Sequence, residues 1–476
     1  MQKNILFLFA DQHRGDLLPG LSGDFPLRMP HLRRLMDRGT TFTRAATNSP
    51  LCVPARACLA LGRDYENCGT WNNDFCCSLD APNFYRSLRS AGYAVAGVGK
   101  FDLHKPIMYW GRDGWIPQLG QLGFTRAVEN EGKGDGVWAW RHGIPGTYGK
   151  DMDRRGLMEA YARDHVRRSA DPLDSQADDI PEDAYADNWV TQNALSQLKE
   201  LLRGEHPWFL MVNFSGPHDP WDVTPAMKAS WESVSMPVPE DFPGDKGRLE
   251  AVRQNYAAML ENIDRCIGVL LEELEASGQR EDTVVIYSAD HGEMLGDRGR
   301  FHKSLPYSPS VHIPLVIEGA DILKGRCREE LVQLNDLAAT FCALGGTVLP
   351  GDHDSRDLMP LATREEALPV RDYQYSALYT HLHEKDDPIV GYEDLELYRK
   401  RHIPSGDRAR ASWRSITTER YRYILHPVTG DEELYDLRED PQERRDMASG
   451  SPAVLEAMRS LMEAHLGGKE PVCTRM

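Results

Sequence analysis

Ile5-Leu6-Phe7-Leu8-Phe9-Ala10-Asp11 is a short run, apolar at every position and closed by a carboxylate. Strict alternation would mark a strand with one wet face, whereas a run apolar at both parities belongs to a strand covered on both sides. The same design recurs at Ala94 to Val98 before Lys100, Phe209 to Phe214 before His218, and Val284 to Tyr287 before Asp290. Between these runs lie helical patterns at Pro30 to Arg38, Ala81 to Ala91, Asp187 to Leu202 and Leu249 to Ser277. Strand and helix in alternation predict an α/β fold, a mostly parallel sheet with helices on both faces. Ligands of such sheets bind beyond the carboxyl ends of the strands, so Asp11, Lys100, His218 and Asp290 are expected to share one site.

A chain of 476 residues, 41% hydrophobic with 30 prolines, is long enough for one large core and a smaller one. We expect a catalytic α/β domain over residues 1–369 and a smaller C-terminal α+β subdomain over 370–476. In the second unit, Ser412 to Leu425 and Glu432 to Leu437 read as antiparallel strands, and Pro452 to His465 as a closing helix capped by Ser451. The stretch Glu129 to Pro181 shows no clean periodicity and reads as an insertion over the sheet. Its Trp138-Ala139-Trp140-Arg141-His142, with the later loop Tyr379 to Arg410, is expected to shape a pocket; a core role for both tryptophans stands equally open.

A net charge of -18 excludes a nucleic-acid surface, which needs lysine and arginine gathered against phosphates. The amino-terminal apolar run is too short for a signal-peptide core, and no later run spans a bilayer, so the expectation is a cytoplasmic protein without membrane contact. Nine cysteines without regular spacing suit a reducing compartment.

The most informative segment is Asn48-Ser-Pro-Leu-Cys52-Val-Pro54-Ala-Arg56-Ala-Cys-Leu-Ala-Leu-Gly62-Arg63. Pro54 suits a first helical turn, which puts Cys52 at the amino end, where free N–H groups and the macrodipole favour an anion. Arg56 adds a full charge, so an unmodified thiol is expected to be acidic and reactive. Taken alone, Cys52 reads first as a buried structural cysteine at a helix start.

The segment resembles the Cys-x-Pro-x-Arg signature of the formylglycine-dependent sulfatases, of the alkaline phosphatase superfamily. Cys52, Pro54 and Arg56 match; Ala55 replaces the commoner serine, and Ala60-Leu61-Gly62-Arg63 is similar to the family's Leu-Thr-Gly-Arg ending. Further resemblance runs through His312 to Gly319, Gln333 to Phe341 and Glu433 to Pro441. It implies an alkaline-phosphatase-like fold and hydrolysis of a sulfate monoester by a formylglycine made from Cys52, with a formylglycine-generating enzyme as maturation partner. It also implies one divalent cation held by Asp11, Asp290, His291 and residue 52. Calcium is expected first, with manganese or magnesium as alternatives, because His291 brings an imidazole to an otherwise oxygen-rich set. Relatives often carry two aspartates where this chain has Asp11-Gln12; Gln12 still offers a carbonyl oxygen.

By the same resemblance Lys100 and Lys303 grip the sulfate, and His218 protonates the leaving alcohol, a task suited to a group titrating near neutrality. The family pattern Gly-Lys-x-His is broken here: Gly99-Lys100-Phe101-Asp102-Leu103-His104 puts Asp102 at the histidine position and leaves His104 two residues on. Either is a candidate for the missing role. Taken singly, each lysine is a solvated charge and each aspartate a turn residue. A phosphonate monoester or phosphodiester hydrolase on the same scaffold, and a non-catalytic binding protein with unmodified Cys52, are the alternatives; Lys100 favours sulfate. A two-zinc phosphatase needs a second Asp/His cluster that the sequence does not place. The substrate's alcohol part, sugar or small molecule, is not legible. A homo-oligomer is compatible with the sequence but not specified by it.

Overall fold

The computed structural model describes residues 2–105, 116–379 and 412–467. The strand Asn4–Asp11 lies between Trp208–Pro217 and Thr283–Ala289, parallel to both. Outward from these, the sheet continues through Ala94–Gly99 to Arg126–Glu129 on one side, and through Leu315–Glu318 and Gly39–Phe42 to Arg326–Arg328 on the other. Leu315–Glu318 runs antiparallel to both of its neighbours; the other pairings in this sheet are parallel.

Double coverage explains the apolar runs. Ile5, Phe7 and Phe9 enter one core with helices Cys52–Leu61, Phe84–Ser90 and Asp336–Leu344, while Leu6, Leu8 and Ala10 enter a second with Pro30–Arg38, Ala186–Leu201 and Lys246–Ala276. Each of these strand side chains is fully buried, and a Leu, Ile or Phe so placed contributes roughly 1.5–3 kcal/mol relative to exposure. Because the strands are parallel, Asp11, Lys100, His218 and Asp290 emerge along one edge.

Several expectations need correction. The helix expected from Ala81 starts at Phe84, because Asn83 caps it, its side chain accepting from the Arg86 N–H at 3.0 Å. Glu129 to Pro181 is no irregular insertion: Glu129 ends a sheet strand, and helices Lys133–Arg141, Thr147–Arg154 and Met158–Ala170 follow. Trp138 and Trp140 are half-buried and pack on the two cores; Trp138 stacks on His142 at 4.0 Å. Ser412 to Leu425 divides into Trp413–Thr417 and Tyr421–His426, which pair antiparallel with Gln374–Leu378 and Asp431–Asp436. Ser451 precedes helix Pro452–Leu466, but its side chain makes no cap; the ring of Pro452 instead presets the first turn. The loop Tyr379 to Arg410 lies, after its first residue, outside the described residues. Among those described, eight cysteines form no disulfide, and no helix is long and apolar enough to cross a membrane.

Gly99, at the end of its strand, has φ +103, and a Cβ there would overlap the Asn213 carbonyl oxygen of the neighbouring strand. Gly99→Ala is expected to lower unfolding free energy by roughly 1–3 kcal/mol or more, read from urea denaturation. An unchanged midpoint would show that the strand ends are less tightly joined than this contact implies.

Candidate active site

Cys52 opens helix Cys52–Leu61, as Pro54 predicts, and the Val53 N–H of that first turn donates to Asn73 Oδ1 at 3.1 Å. The Cys52 Sγ lies 3.3 Å from His291 Nε2, 3.7 Å from Lys100 Nζ and 4.0 Å from Asp11 Oδ1. Asp11, Cys52, Asp290 and His291 each bring one donor atom to within 4.8 Å of the others, and all four are buried. Segments distant in sequence thus meet where the sheet order requires.

Arg56, four residues into the same helix, is 2% exposed and binds the two carboxylates together. Its Nε donates to Asp290 Oδ2 at 3.0 Å and its Nη2 to Asp11 Oδ2 at 3.3 Å, while Nη1 reaches the Lys100 carbonyl and Asn213 Oδ1. Lys100 Nζ pairs with Asp11 and, at 3.1 Å, with Asp102. Burial would raise the Asp11 pKa, but the cations Lys100 and Arg56 hold it well below the usual carboxylate range.

The thiol behaves otherwise than the helix position suggests. Burial, helped by Asp11, pushes the Cys52 pKa up to about 11 against the pull of Lys100 and Lys303. The expectation of an acidic thiol is therefore corrected: Arg56 is engaged by aspartates, and desolvation outweighs the remaining cations.

A second group adjoins the first. Lys303 Nζ donates to Gln12 Oε1 at 2.7 Å and contacts His218 Nε2. Gln12, at φ +74, bonds Asp290 Oδ1 through its own N–H at 3.0 Å, and its side-chain Nε2 donates to Glu293 and to Asp219 Oδ1. Glu293 also accepts the Leu295 and His302 N–H groups at 2.8 and 2.6 Å, so one carboxylate organises both Gln12 and the loop carrying Lys303. Burial and Lys303 hold His218 well below its ordinary pKa, so its resting ring is neutral rather than poised near neutrality as the sequence suggests.

Asp219, Glu293 and His302 do form a second triad of metal-ligand type, which sequence reasoning does not place. Its acceptors are already engaged: Asp219 pairs with His302 at 3.0 Å and takes the Gln12 amide, and Glu293 takes three N–H donors. It reads as a support for Gln12 and Lys303. Asp102 touches Lys100, whereas His104 sits behind, bonded to the Cys77 backbone and pushed down to about 4 by burial.

A sulfatase family model matches residues 3–347. The multifunctional alkaline phosphatase superfamily protein PehA of Trinickia caryophylli is 26% identical over 508 residues, covering 98% of this chain and 95% of the relative. A choline-sulfatase of Rhizobium meliloti (strain 1021) is 26% identical over 496 residues, 97% and 86% of the respective chains. The solved phosphonate monoester hydrolase of Silicibacter pomeroyi superposes with a TM-score of 0.80 at 22% identity, covering 98% of this chain and 96% of that one, which shows the fold. The chain belongs to the sulfatase family. It is a sulfuric ester hydrolase with an alkaline-phosphatase-like architecture.

Arg56→Met leaves two buried carboxylates without their shared partner and is expected to cost about 3–5 kcal/mol of stability. Denaturant unfolding checks this, and a loss below about 1 kcal/mol would mean that Lys100 alone compensates the pair.

Proposed function

We propose that the protein cleaves sulfate monoesters with Cys52 oxidised to formylglycine by a formylglycine-generating enzyme, together with one divalent cation held by Asp11, Asp290, His291 and residue 52. The convergence of those four donor atoms within 4.8 Å, beside Lys100, carries the reading. His291 fits a ligand role: its Nδ1 is engaged by the Gly292 carbonyl at 3.0 Å, and burial keeps the ring neutral, leaving Nε2 to face the cluster. Calcium is proposed first, manganese or magnesium next, and Gln12 Oε1 as a further oxygen donor alongside its bond to Lys303.

Asp11, Asp290 and His291 would hold the cation beside residue 52, where formylglycine would supply an attacking oxygen and the cation would stabilise its charge. The chain's own residues do the rest. Arg56 keeps Asp11 and Asp290 together. Lys100 and Lys303 hold the anionic sulfate oxygens and oppose the charge that moves onto the leaving oxygen. As the sulfur–oxygen bond to the alcohol breaks, the leaving oxygen takes a proton from the Lys303–His218 pair; over the full cycle one water is consumed, alcohol and sulfate are both released, and the pair regains its proton. Asp102, one of the two candidates for the family histidine's place, is assigned to holding Lys100, and His104 to no contact with the sulfate. The alcohol part is proposed to be a sugar or small molecule, a class that includes the substrate named for the choline-sulfatase relative.

The phosphonate monoester hydrolase likeness and the PehA relative favour a second reading, ester hydrolysis at phosphorus on the same site. Peptide mass spectrometry of protein from its native host should find Cys52 as the aldehyde, and 4-nitrophenyl sulfate should be hydrolysed faster than phosphonate monoester or phosphodiester analogues. An unmodified thiol in active enzyme, or a dominant phosphodiesterase rate, would overturn the proposal. Calcium at a hundredfold excess over its Kd is expected to stabilise the protein by about 2.7 kcal/mol, and Asp290→Asn to abolish that response in thermal unfolding.

A further inference from the structure

Lys133 stands one residue beyond Gly132 at the start of helix Lys133–Arg141, with its side chain 2% exposed. Its ammonium has three protons and three acceptors: the His218 carbonyl at 2.9 Å, the Pro220 carbonyl at 3.0 Å and the Asp222 carboxylate. Just before the turn that carries His218, Asp187 Oδ1 accepts the Ser215 and Gly216 N–H groups at 2.7 and 3.1 Å. That turn is thus gripped by its carbonyls through Lys133, and the strand end leading into it by N–H groups through Asp187.

The same segment also touches the sulfate side of the site. Asn130 N bonds the Gly99 carbonyl at 3.0 Å, and Asn130 Oδ1 accepts the Gly132 N–H at 2.9 Å and the Ser215 hydroxyl at 3.3 Å. Gly132, at φ +81, lies so close that a Cβ would stand 3.0 Å from Lys100 Cε. One short stretch, Asn130 to Lys133, therefore sets the spacing between Lys100 and His218. An error of about 1 Å in such spacing can cost on the order of a hundredfold in rate.

We propose that Lys133 is a positioning residue for His218, fixing the imidazole against Lys303 at the leaving-group side of the site. The inference rests on the reading of the Lys303–His218 pair as proton donor. A positioning role makes a specific demand: esters with poor leaving groups, which need the proton most, must suffer most. Kinetics over a series of aryl sulfates from 4-nitrophenyl to unsubstituted phenyl, on the full-length metal-loaded enzyme, measure this directly. Lys133→Met is expected to lose about tenfold or more in kcat on phenyl sulfate beyond its loss on 4-nitrophenyl sulfate, with a steeper dependence on leaving-group pKa. Equal losses along the series would overturn the inference.

His218→Asn run beside it separates the two levels. If His218→Asn shows the steeper dependence and Lys133→Met does not, the inference falls while the proton-donor reading stands; if His218→Asn shows none, the reading itself falls. In the His218→Asn background, Lys133→Met should add no further steepening, and an additive effect would count against action through His218. Should Lys133→Met fail to melt cooperatively, Lys133→Gln, which keeps a shorter donor, carries the same test with an intermediate bias expected and a flat series as the refuting result.

Discussion

Asp11 and Asp290 lie side by side with no exposure to solvent, and most of the site is arranged around that concentration of charge. Two like charges about 4 Å apart repel by roughly 4 kcal/mol at an effective dielectric of about 20, before any desolvation is counted. Arg56 answers with a planar fork that reaches both, and Lys100 with a point charge on Asp11. Since Arg56 belongs to the helix that begins with Cys52, the electrostatic tie also locks the start of that helix to the ends of the central strands. Geometry at residue 52 is thereby a by-product of charge compensation.

Away from the aspartates, amides and carboxylates order the surroundings of Lys303 and His218. Gln12 is the link: its backbone touches Asp290, its amide oxygen Lys303, and its amide nitrogen Glu293 and Asp219. A single residue so joins Asp290 to Lys303. An aspartate at position 12 would have no side-chain N–H to give, and the carboxylates of Glu293 and Asp219 would then face another negative group.

The sheet is legible in the sequence because double coverage leaves uninterrupted apolar strands, and the polar residue ending each strand marks the shared edge. Cys52, Arg56, Asp11, Asp290, His291, Lys100, Lys303 and His218 are singled out by the resemblance to the sulfatases, and the fold brings their side chains together. What escapes reading depends on contacts between segments. Lys133, set in Gly132-Lys133-Gly134-Asp135-Gly136, has the local look of a solvated loop lysine, and only its three oxygen partners reveal a buried one. Glu293 follows the metal motif directly, so its position is a usable signal that motif matching passes over. The thiol's basicity is hidden because helix position and Arg56 carry no information about the burial that outweighs them.

Left-handed backbone recurs beside the chemistry: Gln12, Asp102, His302 and Ser304 all have φ between +50 and +78. None is glycine, so each side chain is kept at a local conformational cost because its contacts or those of its neighbour require it. Substituting glycine would relax the backbone there and would be favoured by any scheme that ranks variants on local comfort alone. For this enzyme, engineering toward heat resistance is better directed at the helices and the outer strands, since relief of tension at these four positions would loosen the very groups whose spacing defines the catalyst.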